Sequence, residues 1–373
     1  MFTRSKSERI IQFVQEILLN ENIPGMSISI VEKGECVFSK GFGQARMGIE
    51  RTPMTSDTIM SIQSVSKNFM AVSILSLCEK NLIHLDDPLV QYLPYFETTD
   101  SCLSKKITVR HVLSHTAGFP SDLGVANMKA PNIRDIYSDT ETEFNEALEY
   151  YGLSEEELLR IHSREDITRW FKKVQLKYPP GEGWAYCTDS YVILCDLFEK
   201  VSGITWEEYL SSYLFKELKM DRTLWDPMIA EGDRDSSWYY MDSPKIKTPY
   251  PINPLAAPIG FLYSSANDLG KYLQFHISEL GGGILKRSSI LEMQKPVIKV
   301  PAHWYPEGWG YGLGWFTGSY KNEPVVEHGG GQMGVRSMVS ILPARQSGIA
   351  VLMNTNGNGH RTVNRTIMDM LLE

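Results

Sequence analysis

The sequence predicts an α+β fold: an antiparallel sheet built from both chain ends, flanked by helices, with a mostly helical lobe inserted between the ends. Three observations lead there. Strand-like segments gather near both termini. The long middle reads mostly helical. The turns between the end strands are short, so neighbouring strands run antiparallel.

Taken in order, the chain opens on an amphipathic helix whose apolar face is Ile10, Ile11, Phe13, Val14, Ile17 and Leu18. Gln12, Gln15 and Glu16 interrupt it, so it is not a signal-peptide core. Residues 26–31 alternate small and apolar side chains, Glu32-Lys33-Gly34-Glu35 turns the chain, and Cys36-Val37-Phe38 returns it. After Ser64-Val-Ser-Lys67 comes an apolar helical run through Phe69, Met70, Val72, Ile74 and Leu75. Further helices are expected at 109–113, 155–161, 167–173, 191–201, 206–218 and 266–280. Residues 121–165 are acidic and contain tyrosines, with a capping box at Ser154-Glu-Glu-Glu157. This stretch reads as a solvated surface insertion or as a lid over an active site. Near the end, 311–315, 324–327, 336–342 and 348–353 are strand-like, 343–348 is a reverse turn, and a helix over 363–372 closes the chain. The expected division places residues 1–80 with 300–373 in the sheet layer and 81–299 in the helical lobe.

With 373 residues, 42% of them hydrophobic, the chain can bury a large core in one or two domains. A net charge of −8 argues against nucleic acid as a partner. No apolar run approaches membrane-spanning length, so no membrane partner is expected. If the chain starts natively at Met1, the expected location is the cytoplasm. The five cysteines (36, 78, 102, 187 and 195) are odd in number and scattered, which reads as reduced thiols, mostly packing the core. His84, His111, His162, His276, His303 and His360 show no ligand spacing, so neither a metal nor another cofactor is expected.

The chemistry begins with Ser64 and Lys67. On a helix, positions i and i+3 share a face. A serine hydroxyl needs a neighbour to take its proton, and a lysine can do so once burial or nearby positive charge lowers its pKa. Alone, S-x-x-K is a common pattern that usually marks a solvated helix face. Here it is followed, in order, by Leu113-Ser-His-Thr-Ala-Gly-Phe-Pro120, by Pro179-Pro-Gly-Glu182 with Tyr186-Cys-Thr188, and by Glu327-His-Gly-Gly-Gly331 leading into Gln332-Met-Gly334. Gly260-Phe-Leu-Tyr-Ser-Ser-Ala-Asn-Asp-Leu269 and Tyr311-Gly-Leu-Gly-Trp315 accompany them.

At these residues, and over nearly the whole chain, the sequence resembles the serine β-lactamase and penicillin-binding-protein superfamily in its class C branch, with its DD-peptidases, D-aminopeptidases and family VIII esterases. The resemblance implies a β-lactamase/transpeptidase-like fold, with Ser64 as nucleophile and Lys67 as its first base. Tyr186 is implied as second base and proton donor. A phenol with a pKa near ~10 serves as a base only where a cation such as Lys67 favours its phenolate. His328, Gly329 and Gly330 correspond to the third motif, opposite the nucleophile, and the amides of Gly331 and Ser64 to the oxyanion hole. Thr188 stands where the motif usually ends in asparagine, which weakens or reroutes contacts to a substrate amide or the lysine. His328 stands in place of the usual lysine; being mostly neutral, it grips a substrate carboxylate less firmly.

Plainer readings attach to several residues. Tyr186 also fits a core tyrosine, and the glycines after His328 fit a turn; a phosphate loop is excluded because Gln332-Met333 follow instead of lysine and Ser/Thr. His115 reads as structural beside a helix end, and Cys187 as a small packing residue. Trp184, Trp304, Trp309 and Tyr191 read as core or as the lining of an apolar pocket. The expected function is a cofactor-free serine hydrolase acting through an acyl-enzyme on a small ester, amide or D-amino-acid peptide. A weak β-lactamase, an acyltransferase using the same intermediate, and a binding module with a vestigial serine are the alternatives. The oligomeric state is not encoded in these patterns.

Overall fold

The computed structural model describes residues 2–136, 141–241, 246–250, 252–278 and 283–373. At the first hairpin, Lys33 and Gly34 both take positive φ (52° and 82°). Such a two-residue turn matches the right-handed twist of the strands it joins. It links β1 (Gly25–Glu32) to β2 (Glu35–Arg46), with Ile30 opposite Phe38. The other strands of the sheet are β3 (Thr52–Pro53), β4 (Ile298–Lys299), β5 (Gly310–Tyr311), β6 (Phe316–Tyr320), β7 (Glu323–Gln332), β8 (Val335–Leu342) and β9 (Ser347–Met353). All neighbours are antiparallel, in the order β3-β2-β1-β9-β8-β7-β6-β5-β4, so the first and last long strands meet inside the sheet, where β1 pairs with β9. This is the antiparallel sheet with flanking helices that the sequence predicts.

The alternation along β1 explains its two coverings. Met26, Ile28 and Ile30 join Ile10 and Val14 of α1 (Arg4–Asn20) in one apolar cluster. Val363 and Ile367 of the closing helix (Gly359–Leu372) complete it. Ser27 and Ser29 leave room on the opposite face for the helix Ala266–Ile277, where a Cβ at Gly270 would lie 2.4 Å from Ser29 Oγ. That helix therefore packs on the sheet, which corrects the expected division that put all of 81–299 in the helical lobe. Its expected last residues, 279 and 280, lie outside the described residues.

Other expectations shift in detail. Of the 311–315 region only Tyr311 is strand, as the second residue of Gly310–Tyr311; Gly314 takes φ +79° and the Gly312 N–H donates to the Trp315 carbonyl (2.8 Å), closing a turn. The helix from Trp206 runs to Glu217 through a wider π stretch at Leu210–Leu214. The Ser154 capping box forms, with reciprocal bonds to Glu157 of 3.2 and 3.0 Å. The 121–165 segment is not a solvated insertion: Val125, Ala126, Phe144, Leu148, Leu158 and Ile161 are buried in the main core. Residues 137–140 of it lie outside the described residues. All five cysteines are free, but only Cys187 and Cys195 are buried, so core packing describes two of the five. Among the described residues no helix is long and apolar enough to cross a membrane.

Candidate active site

Ser64 lies in a 3-10 turn, Gln63–Val65, just ahead of the helix Ser66–Glu79. The sequence expectation put both Ser64 and Lys67 on the helix, yet only Lys67 is in it. The displacement has a local cause. Gln63, directly before Ser64, takes φ +51°, a left-handed conformation that costs a non-glycine residue energy and is held by its surroundings. Those surroundings are specific: the Ile62 carbonyl accepts from Ser337 Oγ (2.7 Å), the Ser61 N–H donates to the Tyr239 hydroxyl (2.8 Å), and Gln63 Nε2 donates to Ser61 Oγ (2.6 Å). The turn leaves Ser64 half-buried while Lys67 is wholly enclosed.

Lys67 Nζ lies 3.3 Å from Ser64 Oγ and donates to the Ile259 carbonyl at 2.6 Å. It also sits over the rings of Tyr186 (5.1 Å) and Tyr191 (5.7 Å). Burial lowers its pKa to about 7 against a smaller opposing pull from Asp189, so near neutrality much of it is free amine. Asp189 is itself buried and accepts from the Gly124 and Ala126 N–H groups (3.2 and 2.8 Å), tying the 121–128 stretch to the second motif.

Tyr186 is buried with its hydroxyl toward Ser64, although no partner stands at hydrogen-bonding geometry. Burial raises its pKa against a smaller lowering by the Ser64 hydroxyl, so the resting group is the phenol rather than the phenolate that base action requires. The segment around His115 holds this tyrosine in place: the Ala185 N–H donates to the His115 carbonyl (3.1 Å) and the Gly181 N–H to that of Thr116 (2.8 Å). The His115 ring, buried and at φ +58°, packs 4.3 Å from Tyr186, in keeping with a structural role. Thr188 is half-buried; its carbonyl accepts from the Tyr191 N–H (3.3 Å) in the first turn of the next helix, Ser190–Ser202. Among the described residues, Lys67 bonds to Ser64 and Ile259, not to Thr188.

The third motif ends β7. Pairing with β6 stops at Glu327 opposite Phe316, so residues 328–332 pair with β8 alone. His328 is buried, and its Nδ1 lies 2.7 Å from the Gly329 carbonyl, which only accepts. Nδ1 therefore carries the proton and Nε2 accepts from the Tyr311 hydroxyl at 3.2 Å. Burial and Lys67 lower its pKa to about 3, so it is neutral. Both ring nitrogens are thus engaged inside the protein. Gly330 packs against the nucleophile's turn, where a Cβ would meet the Ile62 carbonyl at 2.5 Å, and Gly331 is exposed at the strand's end. Glu327, buried on the opposite face, holds Arg365 of the last helix through two bonds of 2.6 Å.

Three features escaped the sequence reading. Ile259 acts through its carbonyl, which no side-chain pattern reveals; the Gly260–Leu269 segment beside it was the nearest signal. Arg336 and Arg361 line an open cavity of about 640 Å³ together with Gly329, Gly330 and Gly331. Among the described residues neither makes an ion pair; Arg336 donates to the Gln332 and Val335 carbonyls, and burial and Arg361 both lower its pKa.

The fold and this arrangement define the class: a β-lactamase/transpeptidase-like protein, within a superfamily of serine hydrolases. The chain belongs to the Beta-lactamase family, which matches residues 10–371. Protein flp of Staphylococcus aureus (strain MW2) is 24% identical over 356 residues, covering 95% of this chain but 64% of that protein. A penicillin-binding protein of Bacillus subtilis (strain 168) is 26% identical over 199 residues, 53% of this chain and 37% of its own. Among solved structures, the octameric penicillin-binding protein homologue from Pyrococcus abyssi has a TM-score of 0.82 at 29% identity, over 98% of this chain and 77% of that one. A class C beta-lactamase shares the fold, with a TM-score of 0.75 at 17% identity over 98% and 96% of the two chains.

Proposed function

We propose that the protein is a serine hydrolase that works through an acyl-enzyme at Ser64 on a small ester, amide or D-amino-acid peptide. The observation that carries this is the buried Lys67 amine, with its pKa near 7, at 3.3 Å from Ser64 Oγ. The neutral amine takes the Ser64 proton as Oγ bonds to the substrate carbonyl carbon, and the carbonyl electron pair moves to oxygen. The amides of Ser64 and Gly331 stabilise that oxyanion. On collapse the bond to the leaving group breaks, the Tyr186 phenol supplies its proton, and Lys67 restores the phenol. Water then attacks the ester at Ser64, its proton passing through the same pair back to Oγ. A raised phenol pKa suits this donor role better than a phenolate would.

The two arginines favour a substrate with a carboxylate, as on a free peptide terminus. β-Lactams also carry one, so weak β-lactam hydrolysis stands as the second reading. The test is intact mass and product release with p-nitrophenyl acetate, nitrocefin and a D-alanyl amide, alongside a fluorophosphonate probe. Wild type should turn over one class and label, and Ser64→Ala should do neither. Equal behaviour of the two proteins with the probe would defeat the proposal and favour a binding module.

A further inference from the structure

The loop between β4 and β5 presents an aromatic side chain that neither the fold nor the proton transfers use. A turn closed by the Trp304 N–H donating to the Pro301 carbonyl (2.9 Å) places Trp304 at its corner. The loop is anchored without it. Tyr305 is buried and stacks on Phe316 at 4.0 Å, and the Val300 N–H donates to the Trp309 carbonyl (2.9 Å). Trp304 is left 42% exposed. Single exposed apolar side chains are ordinary and need no explanation. This one stands 5.4 Å from the ring of Tyr186, inclined by only 30°, and edge-on to Trp184 at 5.3 Å. Trp184 is buried, and its indole N–H has no partner among the described residues.

We infer that Trp304 and Trp184 form a wall that binds a flat apolar group of the substrate, an aryl ring carried next to the carbonyl that Ser64 attacks. The face of an exposed indole takes an aromatic ring in offset-stacked or edge-to-face geometry, and Trp184 backs it. Placing the wall against the ring of Tyr186 (5.4 Å) keeps the bound ring near the scissile bond, so it selects substrates by the group adjoining that bond. This inference rests on the hydrolase proposal and narrows it. A rival role for Trp304, shielding the Tyr186 phenol from water, makes a different prediction, because shielding acts on every substrate alike.

The experiment compares kcat/KM for p-nitrophenyl phenylacetate and p-nitrophenyl acetate in wild type, Trp304→Ala and Trp304→Phe. The wall predicts that the phenylacetate-to-acetate ratio falls about tenfold in Trp304→Ala, mainly through KM, and is largely restored in Trp304→Phe. An unchanged ratio, whether both esters slow together or neither does, overturns it. A second arm needs no turnover: calorimetric titration of phenylacetamide into Ser64→Ala and into the Ser64→Ala/Trp304→Ala double variant. Binding that disappears with Trp304 supports the wall; equal binding, or none to either protein, overturns it. Wild type inert on both esters leaves the hydrolase proposal to its own probe and substrate panel, and the titration still decides the wall.

Discussion

Lys67 sits where an ammonium is hard to keep, and its activity and its cost have the same origin. With the folded pKa near 7, kcat/KM should rise with pH through about 7 as the amine loses its proton. His328, neutral down to about 3, should add no second inflection between pH 5 and 7, and a pH–rate profile on an ester checks both points. Stability follows from the same shift. Between pH 7 and the ordinary lysine range the unfolded chain binds a proton that the folded one lacks, so stability rises with pH there; below 7 the cost of the buried charge is present in full. Lys67→Met should therefore abolish turnover yet stabilise the fold by at least ~1 kcal/mol, more at pH 6 than at pH 9, as read by urea unfolding. Arg361→Gln should lower kcat/KM about tenfold for a p-nitrophenyl hemisuccinate and leave p-nitrophenyl butyrate nearly unchanged, the scale of one lost charge-assisted hydrogen bond. Of these groups, Lys67 and His328 were legible as residue types in ordered motifs. The protonation state of Tyr186 was not, because it depends on how completely residues distant in sequence close over the phenol. The arginine pair was invisible for a similar reason: β8 and the last helix bring it together.

Between the residues and the whole stands the contact of a turn with a strand. Gln63–Val65 and the end of β7 are far apart in sequence, yet Gly330 has no room for a Cβ against the Ile62 carbonyl at 2.5 Å and Gln63 Cβ at 2.8 Å. Gly330→Ala must push the strand end away from Ser64 while the rest of β7 keeps its pairing with β8. A displacement near 1 Å at reacting groups costs on the order of 10² in rate. The variant should therefore lose about that factor in kcat, with an unchanged far-UV circular dichroism spectrum and a modest loss of stability. The sequence placed the nucleophile within one turn of its true position but assigned it to helix. Propensity over Ser64-Val65-Ser66 does not separate an α-helical start from a 3-10 turn, and the left-handed Gln63 is held by the bond of the Ser61 N–H to Tyr239 and that of Ser337 to the Ile62 carbonyl. The Ser154 capping box, by contrast, was legible because both partners lie within four residues.

At the scale of the whole molecule, an expected boundary dissolves. Dividing the chain at residues 80 and 300 treats the sheet and the helical middle as separable, as a composition-based reading must when it sees strands at both ends and helices between. The small side chains of Ser27 and Ser29 were visible, but not what they admit: a helix from the middle of the chain lying on an interior strand of the sheet. The main apolar cluster follows from that packing. It runs without interruption from Ile167, Phe171 and Val192 in the helical lobe, through Phe69 and Leu269, to Val339 and Ala350 of the sheet. Lys67 lies inside this continuous core, with the Ile259 carbonyl as its anchor. Two lobes that share one core have little to gain by unfolding separately, even though chains beyond about 150 residues often populate intermediates. Calorimetry should accordingly show a single transition, with an enthalpy near 260 kcal/mol if the usual ~0.7 kcal/mol per residue holds, and the van't Hoff value should agree with it. Two resolved transitions would mean that the site is held at a domain boundary; a single one means that opening the pocket costs the whole fold. In the single-transition case, a core substitution in the apolar cluster under α1, such as Val14→Ala, should lower the melting temperature without changing kcat below it.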